Sequence, residues 1–381
     1  MKAWRFYDFG DMRLDEVPTP EPGPREVLLR VLVVQPSVTE AILAAGRETI
    51  GYELVRKRLA DAAPIGLFGH EYCAEVVEVG PLVESVRPGD RVVGYSMLPC
   101  TDCAFCREGH DDRCRSGPMF GFDMPGCMAE YAVCPENGVV AIPDSLTPYE
   151  AAAVQPAAEC VASVESAALA RGETVAIVGQ GAMGVYSMQA ARHTLADRVI
   201  AIDVRPEPLA LAAALGADHC IDASATDAVE AVRELTGGRG ADVVIESAGG
   251  PPQEGLAGSA TVEQSFQLVR NCGRVVINSL IPGRTGLDFV AWRSRSVALV
   301  FPGLADLRHL ATAARMTAQG RLRIDPLISH VVWGIEQTPL AFEITSDKVR
   351  FGATGPCQIA VDTAGLEPHP KTMAADAGGA R

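Results

Sequence analysis

Four closely spaced cysteines form a pattern that can bind a metal ion. Cys100, Cys103, Cys106 and Cys114 follow the spacing C-x2-C-x2-C-x7-C. Thiolates this close along the chain can surround zinc in a tetrahedron with little loop entropy left to lose. Because four thiolates leave no coordination position for a substrate, the pattern predicts a structural zinc lobe over residues 98–116. An iron–sulfur cluster and four unrelated thiols are the alternatives.

A glycine motif later in the chain can bind the phosphates of a dinucleotide. Gly179, Gly181 and Gly184 follow the apolar run Thr174–Val178 in the pattern G-x-G-x-x-G, and a helical pattern comes next. Gly179 permits a tight turn, Gly181 lets a pyrophosphate approach the backbone, and Gly184 allows the helix to pack closely on the strand. The N-terminus of that helix then presents unpaired N–H groups to the phosphates.

An aspartate at the end of the next predicted strand indicates which dinucleotide binds. Asp203 lies about 20 residues beyond the last glycine, where a carboxylate accepts hydrogen bonds from the ribose hydroxyls of an adenosine. Its charge would repel a 2′-phosphate, so the sequence favours NAD, and Arg205 keeps NADP as the less favoured alternative. The remaining predicted cofactor contacts are Ala182, Met183 and Ser247.

The composition of the chain narrows its class. The 381 residues are 48% hydrophobic and 21% charged, with a net charge of −15, which suits two globular domains and argues against nucleic acid and membrane partners. No apolar run approaches the length of a membrane span, and the N-terminus lacks the apolar core of a signal peptide. Eleven cysteines, four of them crowded, indicate reduced thiols and a metal rather than disulfides. We expect a cytoplasmic enzyme with a small-molecule substrate.

The pattern of predicted elements changes along the chain. Short strands separated by proline- and glycine-rich turns fill residues 1–150 and suggest a small β-barrel. Residues 151–302 alternate apolar strands with helices, which predicts an α/β domain with a doubly wound parallel sheet. Residues 303–361 are expected to return to the first domain, and the polar segment 362–381 predicts a disordered tail.

Further short motifs carry a family resemblance. They are Gly69-His70-Glu71, Pro88-Gly89-Asp90-Arg91-Val92 and Gly273-Arg274-Val275-Val276. Together with the cysteine lobe and the glycine motif, they resemble the zinc-containing medium-chain dehydrogenase/reductase family in its alcohol and polyol dehydrogenase branch. The resemblance implies a GroES-like β-barrel catalytic domain, a Rossmann domain for NAD, and a homodimer or homotetramer. It also implies a catalytic zinc that stabilises an alkoxide while hydride passes to the nicotinamide.

The expected catalytic zinc site departs from the family pattern at one ligand. The stretch from Val34 to Glu40 aligns with the family's Ala-Gly-Ile-Cys-Gly-Thr-Asp. Ser37 then stands at the cysteine position, where its hydroxyl is a far weaker zinc ligand than a thiolate. Thr39 matches the hydroxyl that relays the substrate's proton.

The resemblance supplies the other expected ligands of the catalytic zinc. It makes His70 a ligand, for which a buried, hydrogen-bonded histidine is the structural alternative. Glu71 is either an exchanging ligand or a residue that only orients the site. The third ligand is Gln155 if Gln-Pro matches the Glu-Pro of polyol dehydrogenases, or Glu159 if the cysteine position of alcohol dehydrogenases is used.

Three functions are compatible with these residues. The leading hypothesis is an NAD-dependent dehydrogenase that oxidises a secondary alcohol or polyol to a ketone, or runs the reverse reaction. The second, motivated by Ser37, is a reductase on the same fold that has lost the catalytic zinc and acts on C=C, C=N or C=O. The third is a non-catalytic nucleotide-binding protein.

The segment that joins the proton-relay motif to Gly69 is longer than the family pattern leads us to expect. It contains a helical pattern over Tyr52–Ala62 with a basic cluster of Arg56, Lys57 and Arg58. We interpret the cluster as a solvated helix face. Since the segment borders the expected cleft, it is a candidate for shaping the substrate pocket.

Overall fold

The computed structural model describes residues 1–250, 257–281 and 284–373, and these contain sixteen strands, thirteen α-helices and four short 3-10 helices. The strands are β1 (Lys2–Asp8), β2 (Asp11–Glu16), β3 (Glu26–Gln35), β4 (Ile65–Gly66), β5 (Glu71–Val79), β6 (Arg91–Gly94), β7 (Tyr131–Pro135), β8 (Val139–Ala141), β9 (Glu173–Val178), β10 (Ala196–Asp203), β11 (His219–Asp222), β12 (Ala241–Glu246), β13 (Val269–Ile277), β14 (Ala298–Val300), β15 (His330–Trp333) and β16 (Cys357–Ala360). The helices are α1 (Val38–Ala44), α2 (Tyr52–Ala62), α3 (Ala104–Arg107), α4 (Pro148–Ala152), α5 (Val154–Ser166), α6 (Ala182–Arg192), α7 (Pro206–Ala214), α8 (Ala228–Leu235), α9 (Ala260–Leu268), α10 (Phe289–Ser294), α11 (Leu307–Ala318), α12 (Thr338–Ser346) and α13 (Lys348–Phe351).

The chain divides into two compact units. Unit 1 comprises Met1–Ala158, Leu304–Ala318 and Ile324–Arg381, and unit 2 comprises Glu159–Gly303 and Gln319–Arg323. The division falls inside α5, whereas the sequence places it after residue 150. The reason is that the alanine-rich stretch after residue 147 forms two helices, of which α4 packs against β3 and β5 of unit 1.

Unit 1 is built on a seven-stranded sheet with the order β15-β16-β3-β5-β6-β8, in which β7 also pairs with β3. Strand β3 is rich in valine and leucine, so it can be buried and can pair on both edges. It pairs antiparallel with β5, β7 and β16. A second, three-stranded sheet has the order β2-β1-β4. The carboxyl end of β3 therefore lies beside the beginning of β5, where the Gly-His-Glu motif stands.

The predicted disorder of residues 362–381 is wrong for the part that the structure describes, which ends at Met373. The Arg30 guanidinium pairs with Asp362, and the Tyr149 hydroxyl donates to the carbonyl of Glu367 at 2.8 Å. The backbone N–H of Met373 donates to Val331 O at 2.8 Å, and the Met373 side chain packs against the unit 1 core. These contacts order the segment in spite of its polar composition; residues 374–381 lie outside the described residues.

Unit 2 contains a six-stranded parallel sheet with the order β11-β10-β9-β12-β13-β14. This is the doubly wound order in which the strand sequence reverses between β9 and β12. The register pairs Val178 with both Ile202 and Glu246. It therefore brings the residues that follow, Gly179, Asp203 and Ser247, to one edge of the sheet, where dinucleotides bind in this fold.

Within residues 1–250, 257–281 and 284–373, none of the helices has both the length and the apolar character needed to cross a bilayer.

Candidate active site

Ser37 has a defined structural role at the start of α1. Its hydroxyl accepts a hydrogen bond from the backbone N–H of Glu40 at 3.1 Å, and its own N–H donates to Glu40 Oε2 at 2.9 Å. These two bonds form a capping box, the S-x-x-E arrangement that satisfies exposed N–H groups at a helix N-terminus. The residue at the family's cysteine position thus caps a helix.

Glu40 is a site residue that the sequence analysis did not single out. Its carboxylate is fully buried, and Oε1 accepts from the N–H of Gly69 at 2.8 Å and lies 2.6 Å from His70 Nδ1. A carboxylate in this position fixes both the ring orientation and the tautomer of the histidine. Nδ1 then carries the proton toward Glu40, and Nε2 is the nitrogen that can bind a metal or a substrate. The sequence signals for Glu40 are the capping-box spacing from Ser37 and its alignment with the aspartate of the family's Cys-Gly-Thr-Asp.

Glu71 lies beside that nitrogen as a buried carboxyl group. Its Oε1 is 3.9 Å from His70 Nε2, and its Oε2 accepts from Gln35 Nε2 at 2.5 Å. Burial raises the pKa of Glu71 to about 7, although His70, Lys348 and the Gln35 hydrogen bond oppose this rise. Gln358 completes the support, because its Nε2 donates to Gln35 Oε1 at 3.0 Å. Two glutamines from distant parts of the chain therefore hold the carboxylate in place.

His70 Nε2 and Glu71 Oε1 are close enough to bind one zinc ion together. Two bonds of about 2.1 Å from nitrogen and oxygen reach donors up to about 4.2 Å apart, and His70 Nε2 and Glu71 Oε1 are 3.9 Å apart. Among the described residues, no third His, Cys, Asp or Glu donor joins them in a compact group. Gln155 is buried in unit 1, whereas Glu159 is the first residue of unit 2. Thr39 is half-buried in the first turn of α1.

The four cysteines of the predicted zinc lobe do form one cluster. Their sulfur atoms all lie within 4.8 Å of one another. Cys100 Sγ is 3.9 Å and Cys103 Sγ is 3.6 Å from Cys106 Sγ, close to the separation of about 3.8 Å in a zinc tetrahedron with bonds of about 2.3 Å. Backbone N–H groups of Cys100, Cys103 and Cys106 point at neighbouring sulfurs. The cluster therefore has the shape and the donors of a closed structural zinc site.

Replacing Cys103 with serine should destabilise unit 1 before it changes chemistry. Serine can keep the helix-cap hydrogen bond that Cys103 Sγ accepts from Cys106 N, but it removes one thiolate from the metal. Loss of a structural metal costs on the order of 4 kcal/mol, and each kcal/mol shifts Tm by about 2–4 °C, so we expect a fall of roughly 8 °C or more with loss of bound zinc. Calorimetry and metal analysis measure this, with exposed Cys220→Ser as the control. A stable but inactive Cys103→Ser would contradict a structural role.

The glycine motif has the geometry of a dinucleotide turn. Gly179 has φ of 88°, a conformation that other residues rarely adopt. A Cβ atom at Gly184 would lie 1.8 Å from Gly179 O, so only glycine fits there. A Cβ atom at Gly181 would meet no protein atom within 4 Å, which leaves open space in front of the turn. Gly181 is also the N-cap of α6 and makes no side-chain cap, so the N–H groups of Ala182 and Met183 begin the helix beside that space.

The adenosine end of the predicted site lies on the next strand. Asp203 is 9% exposed, and its carboxylate accepts from the N–H of Gln180 at 2.6 Å and from the N–H of Arg205 at 2.9 Å. The Arg205 side chain is exposed, with Nε 3.6 Å from Asp203 Oδ1. At the same edge, the Ser247 hydroxyl accepts from Asn278 Nδ2 at 3.1 Å. The structure thus gathers every predicted cofactor residue at the carboxyl edge of the unit 2 sheet.

Comparisons with known proteins agree with this arrangement. Residues 23–144 match the family described as alcohol dehydrogenase GroES-like domain, and residues 182–301 match the family described as zinc-binding dehydrogenase. The chain is 33% identical to the L-threonine 3-dehydrogenase of Pyrococcus abyssi, over 90% of this chain and 93% of that protein. It is 33% identical to the erythritol/L-threitol dehydrogenase of Mycolicibacterium smegmatis, over 84% of this chain and 87% of that protein.

A solved structure shows the same similarity. It is a zinc-binding dehydrogenase from Sinorhizobium meliloti bound to NADP, which matches with a TM-score of 0.81 and 29% identity over 94% of this chain and 98% of that one. Together with these relatives, the parallel sheet, the glycine motif and the thiol cluster indicate an NAD(P)-dependent alcohol or polyol dehydrogenase. The chain belongs to the zinc-containing medium-chain dehydrogenase/reductase family. The resemblance stated from the sequence motifs and the fold class are thereby confirmed.

Proposed function

We propose that the protein is an NAD-dependent dehydrogenase that oxidises a secondary alcohol or polyol to a ketone, or catalyses the reverse reaction. The observation that supports this most directly is the His70 ring, whose Nδ1 faces buried Glu40 while its Nε2 faces Glu71 at 3.9 Å. A zinc ion held by His70 and Glu71, with Gln155 or Glu159 as a third ligand, would supply Lewis-acid stabilisation of an alkoxide. Glu40 would orient the ring, and the two glutamines would hold Glu71. The Thr39 hydroxyl would relay the proton of the substrate hydroxyl, accepting it while releasing its own proton to solvent.

A substrate screen with controlled metal content tests this proposal. The names of the relatives supply the first probes, L-threonine and erythritol, to which a panel of secondary alcohols and polyols is added. We expect reduction of NAD with at least one of them, loss of turnover with a mild chelator, and recovery with added zinc. The chelated protein should keep its fold, since a site without a thiolate binds zinc more weakly than the four-cysteine cluster. Turnover that persists after removal of all but one zinc per chain would contradict a catalytic zinc.

Ser37 supports a second candidate function. Because its hydroxyl already accepts from Glu40 N, it is poorly placed to serve also as a metal ligand. A reductase on the same fold, with zinc only in the cysteine lobe, would then reduce C=C, C=N or C=O with Thr39 as the first proton donor to test. The Ser37→Cys variant separates the two. Tighter zinc binding with retained turnover supports the zinc dehydrogenase, whereas turnover indifferent to zinc in both proteins supports the reductase.

We propose that NAD is preferred over NADP because of Asp203. Its carboxylate is held by two backbone N–H groups and would face a 2′-phosphate with like charge. We expect Asp203→Ala to narrow the ratio of kcat/KM for NAD over NADP by roughly tenfold or more. Exposed Asp197, at the other end of β10, provides the control variant Asp197→Ala. Equal use of both cofactors by the unmodified protein would contradict the assignment.

We also propose a homodimer, or a dimer of such dimers, in the cytoplasm. Strand β14 ends the unit 2 sheet, and Phe301 beside it is 70% exposed, so an apolar edge with no strand partner among the described residues is available for a second copy. All eleven cysteines are free thiols, a state that a reducing compartment maintains. Light scattering should give at least twice the chain mass of 40.2 kDa, and Phe301→Glu should shift it toward the monomer. A monomer at micromolar concentration would exclude this assembly.

A further inference from the structure

The long segment between Thr39 and Gly69 is ordered in unit 1 and contains helix α2. Helix α2 within it buries Val55 and Leu59, and the Tyr52 ring stacks on Phe9 with centroids 4.7 Å apart. An amphipathic helix anchored in this way presents fixed side chains rather than a mobile loop. The charged side chains on α2 are therefore held beside the same neighbouring residues.

Phe122 lies close both to this segment and to His70. The two rings have centroids 5.7 Å apart, and Phe122 also packs edge-on against Phe68 at 5.6 Å. On its other side, a Cβ atom at Gly51, the N-cap of α2, would lie 3.7 Å from Phe122 Cε1. Phe122 thus lies between the active-site histidine and the first turn of α2. A side chain of α2 that contacts Phe122 is therefore linked to His70 through that one residue.

Arg58 is the basic residue of α2 that contacts Phe122. Its guanidinium donates to the carbonyl oxygen of Phe122 and is partly buried, and this burial lowers its pKa. In the described part of the chain, no carboxylate oxygen lies within 4.0 Å of it, although Asp123 acts on it from further away. A planar guanidinium with one backbone acceptor keeps several N–H donors for a bidentate anion.

The neighbouring arginine on the same helix behaves differently. Arg56 is exposed and pairs with Glu53 at 2.5 Å, as expected for a solvated helix face. The interpretation of the basic cluster as a solvated face therefore holds for Arg56 but does not describe Arg58.

We propose that Arg58 binds an anionic group of the substrate, a carboxylate or a phosphate, whose hydroxyl reacts at His70. This rests on the proposed dehydrogenase function and narrows it from alcohols and polyols in general to charged ones. A planar guanidinium matches both anions through paired hydrogen bonds. Arg58 is then a specificity-determining residue, and α2 is the element that carries it.

Binding of small anions tests the subsite independently of turnover. Calorimetry with inorganic phosphate and, separately, with acetate is expected to show binding to the unmodified protein by at least one of them. Which one binds distinguishes a phosphate from a carboxylate group. Arg58→Gln should weaken that binding about 10- to 100-fold, Arg58→Lys should restore part of it, and Arg56→Gln should leave it unchanged. No binding to the unmodified protein, or equal binding to Arg58→Gln, overturns the proposal.

Kinetics with matched substrates give the second readout. Erythritol, a neutral polyol, is compared with L-threonine and with a tetritol phosphate. Arg58→Gln should raise KM for the charged compounds about 10- to 100-fold and leave KM for erythritol unchanged. Equal effects on neutral and charged substrates would mean that Arg58 only supports Phe122, and would overturn the proposal. If no alcohol is oxidised at all, the dehydrogenase function fails, and the calorimetry alone decides the anion site.

Discussion

Replacing His70 with alanine should abolish turnover and leave dinucleotide binding intact. The ring places Nε2, the nitrogen that can bind a metal or a substrate, 3.9 Å from Glu71 Oε1. We expect kcat/KM to fall by about 1,000-fold or more, which corresponds to about 4 kcal/mol of lost transition-state stabilisation. NADH binding should persist because the glycine motif and Asp203 belong to unit 2. Steady-state kinetics and NADH fluorescence titration measure the two quantities.

Two variants make this result specific. His330→Ala removes a histidine from β15 of the same unit and should leave kcat/KM almost unchanged. Glu40→Gln keeps the shape of the side chain that holds His70 Nδ1 at 2.6 Å but weakens the charge-assisted contact. It should lower kcat/KM by about 10- to 100-fold, which is less than the effect of losing the ring. Unimpaired turnover in His70→Ala would contradict the catalytic-zinc mechanism and would favour the reductase without a catalytic zinc.

Replacing Gly181 with valine should abolish dinucleotide binding without unfolding unit 2. Its φ is in the ordinary range, and an added Cβ would meet no protein atom within 4 Å. The new side chain would instead fill the open space in front of the α6 N-terminus, where the pyrophosphate should lie. We expect NAD and NADH affinity to fall by about 100-fold or more, with Tm within about 3 °C of the unmodified protein.

Gly184→Val is the contrasting variant for the same motif. Its Cβ would lie 1.8 Å from Gly179 O, so the protein must distort to accommodate it. Unit 2 should therefore lose stability as well as binding. If Gly181→Val binds NADH normally by fluorescence titration, the dinucleotide does not lie against this turn, and the cofactor site must be sought elsewhere.

Local patterns allowed part of this site to be predicted. The spacing of the four cysteines places all the ligands within one short loop, so Cys100 to Cys114 could be assigned without the rest of the fold. The glycine motif is equally local, because Gly179, Gly181 and Gly184 act through one turn and one helix start. The place of Asp203 followed from the regular alternation of strands and helices.

Contacts between distant residues could not be predicted in this way. The role of Glu40 depends on β5 bringing Gly69 and His70 to the first turn of α1. The support of Glu71 joins Gln35 to Gln358, at opposite ends of the sequence, and no sequence pattern predicts that these two side chains meet. The C-terminal segment was mispredicted for the same reason, because its composition does not reveal the backbone pairing of Met373 with Val331.

The discontinuous make-up of unit 1 has a consequence for biosynthesis. Apart from Gln319–Arg323, unit 2 is one uninterrupted stretch, so its parallel sheet can close while the ribosome is still translating the last segment. Unit 1 cannot be completed until β15 and β16 have been synthesised. Gln358, which donates to Gln35 and so supports Glu71, is among the last residues to leave the ribosome. A nascent chain arrested shortly before β16 should therefore retain NADH yet lack a finished catalytic centre. Bound NADH would then stabilise unit 2 before unit 1 is complete.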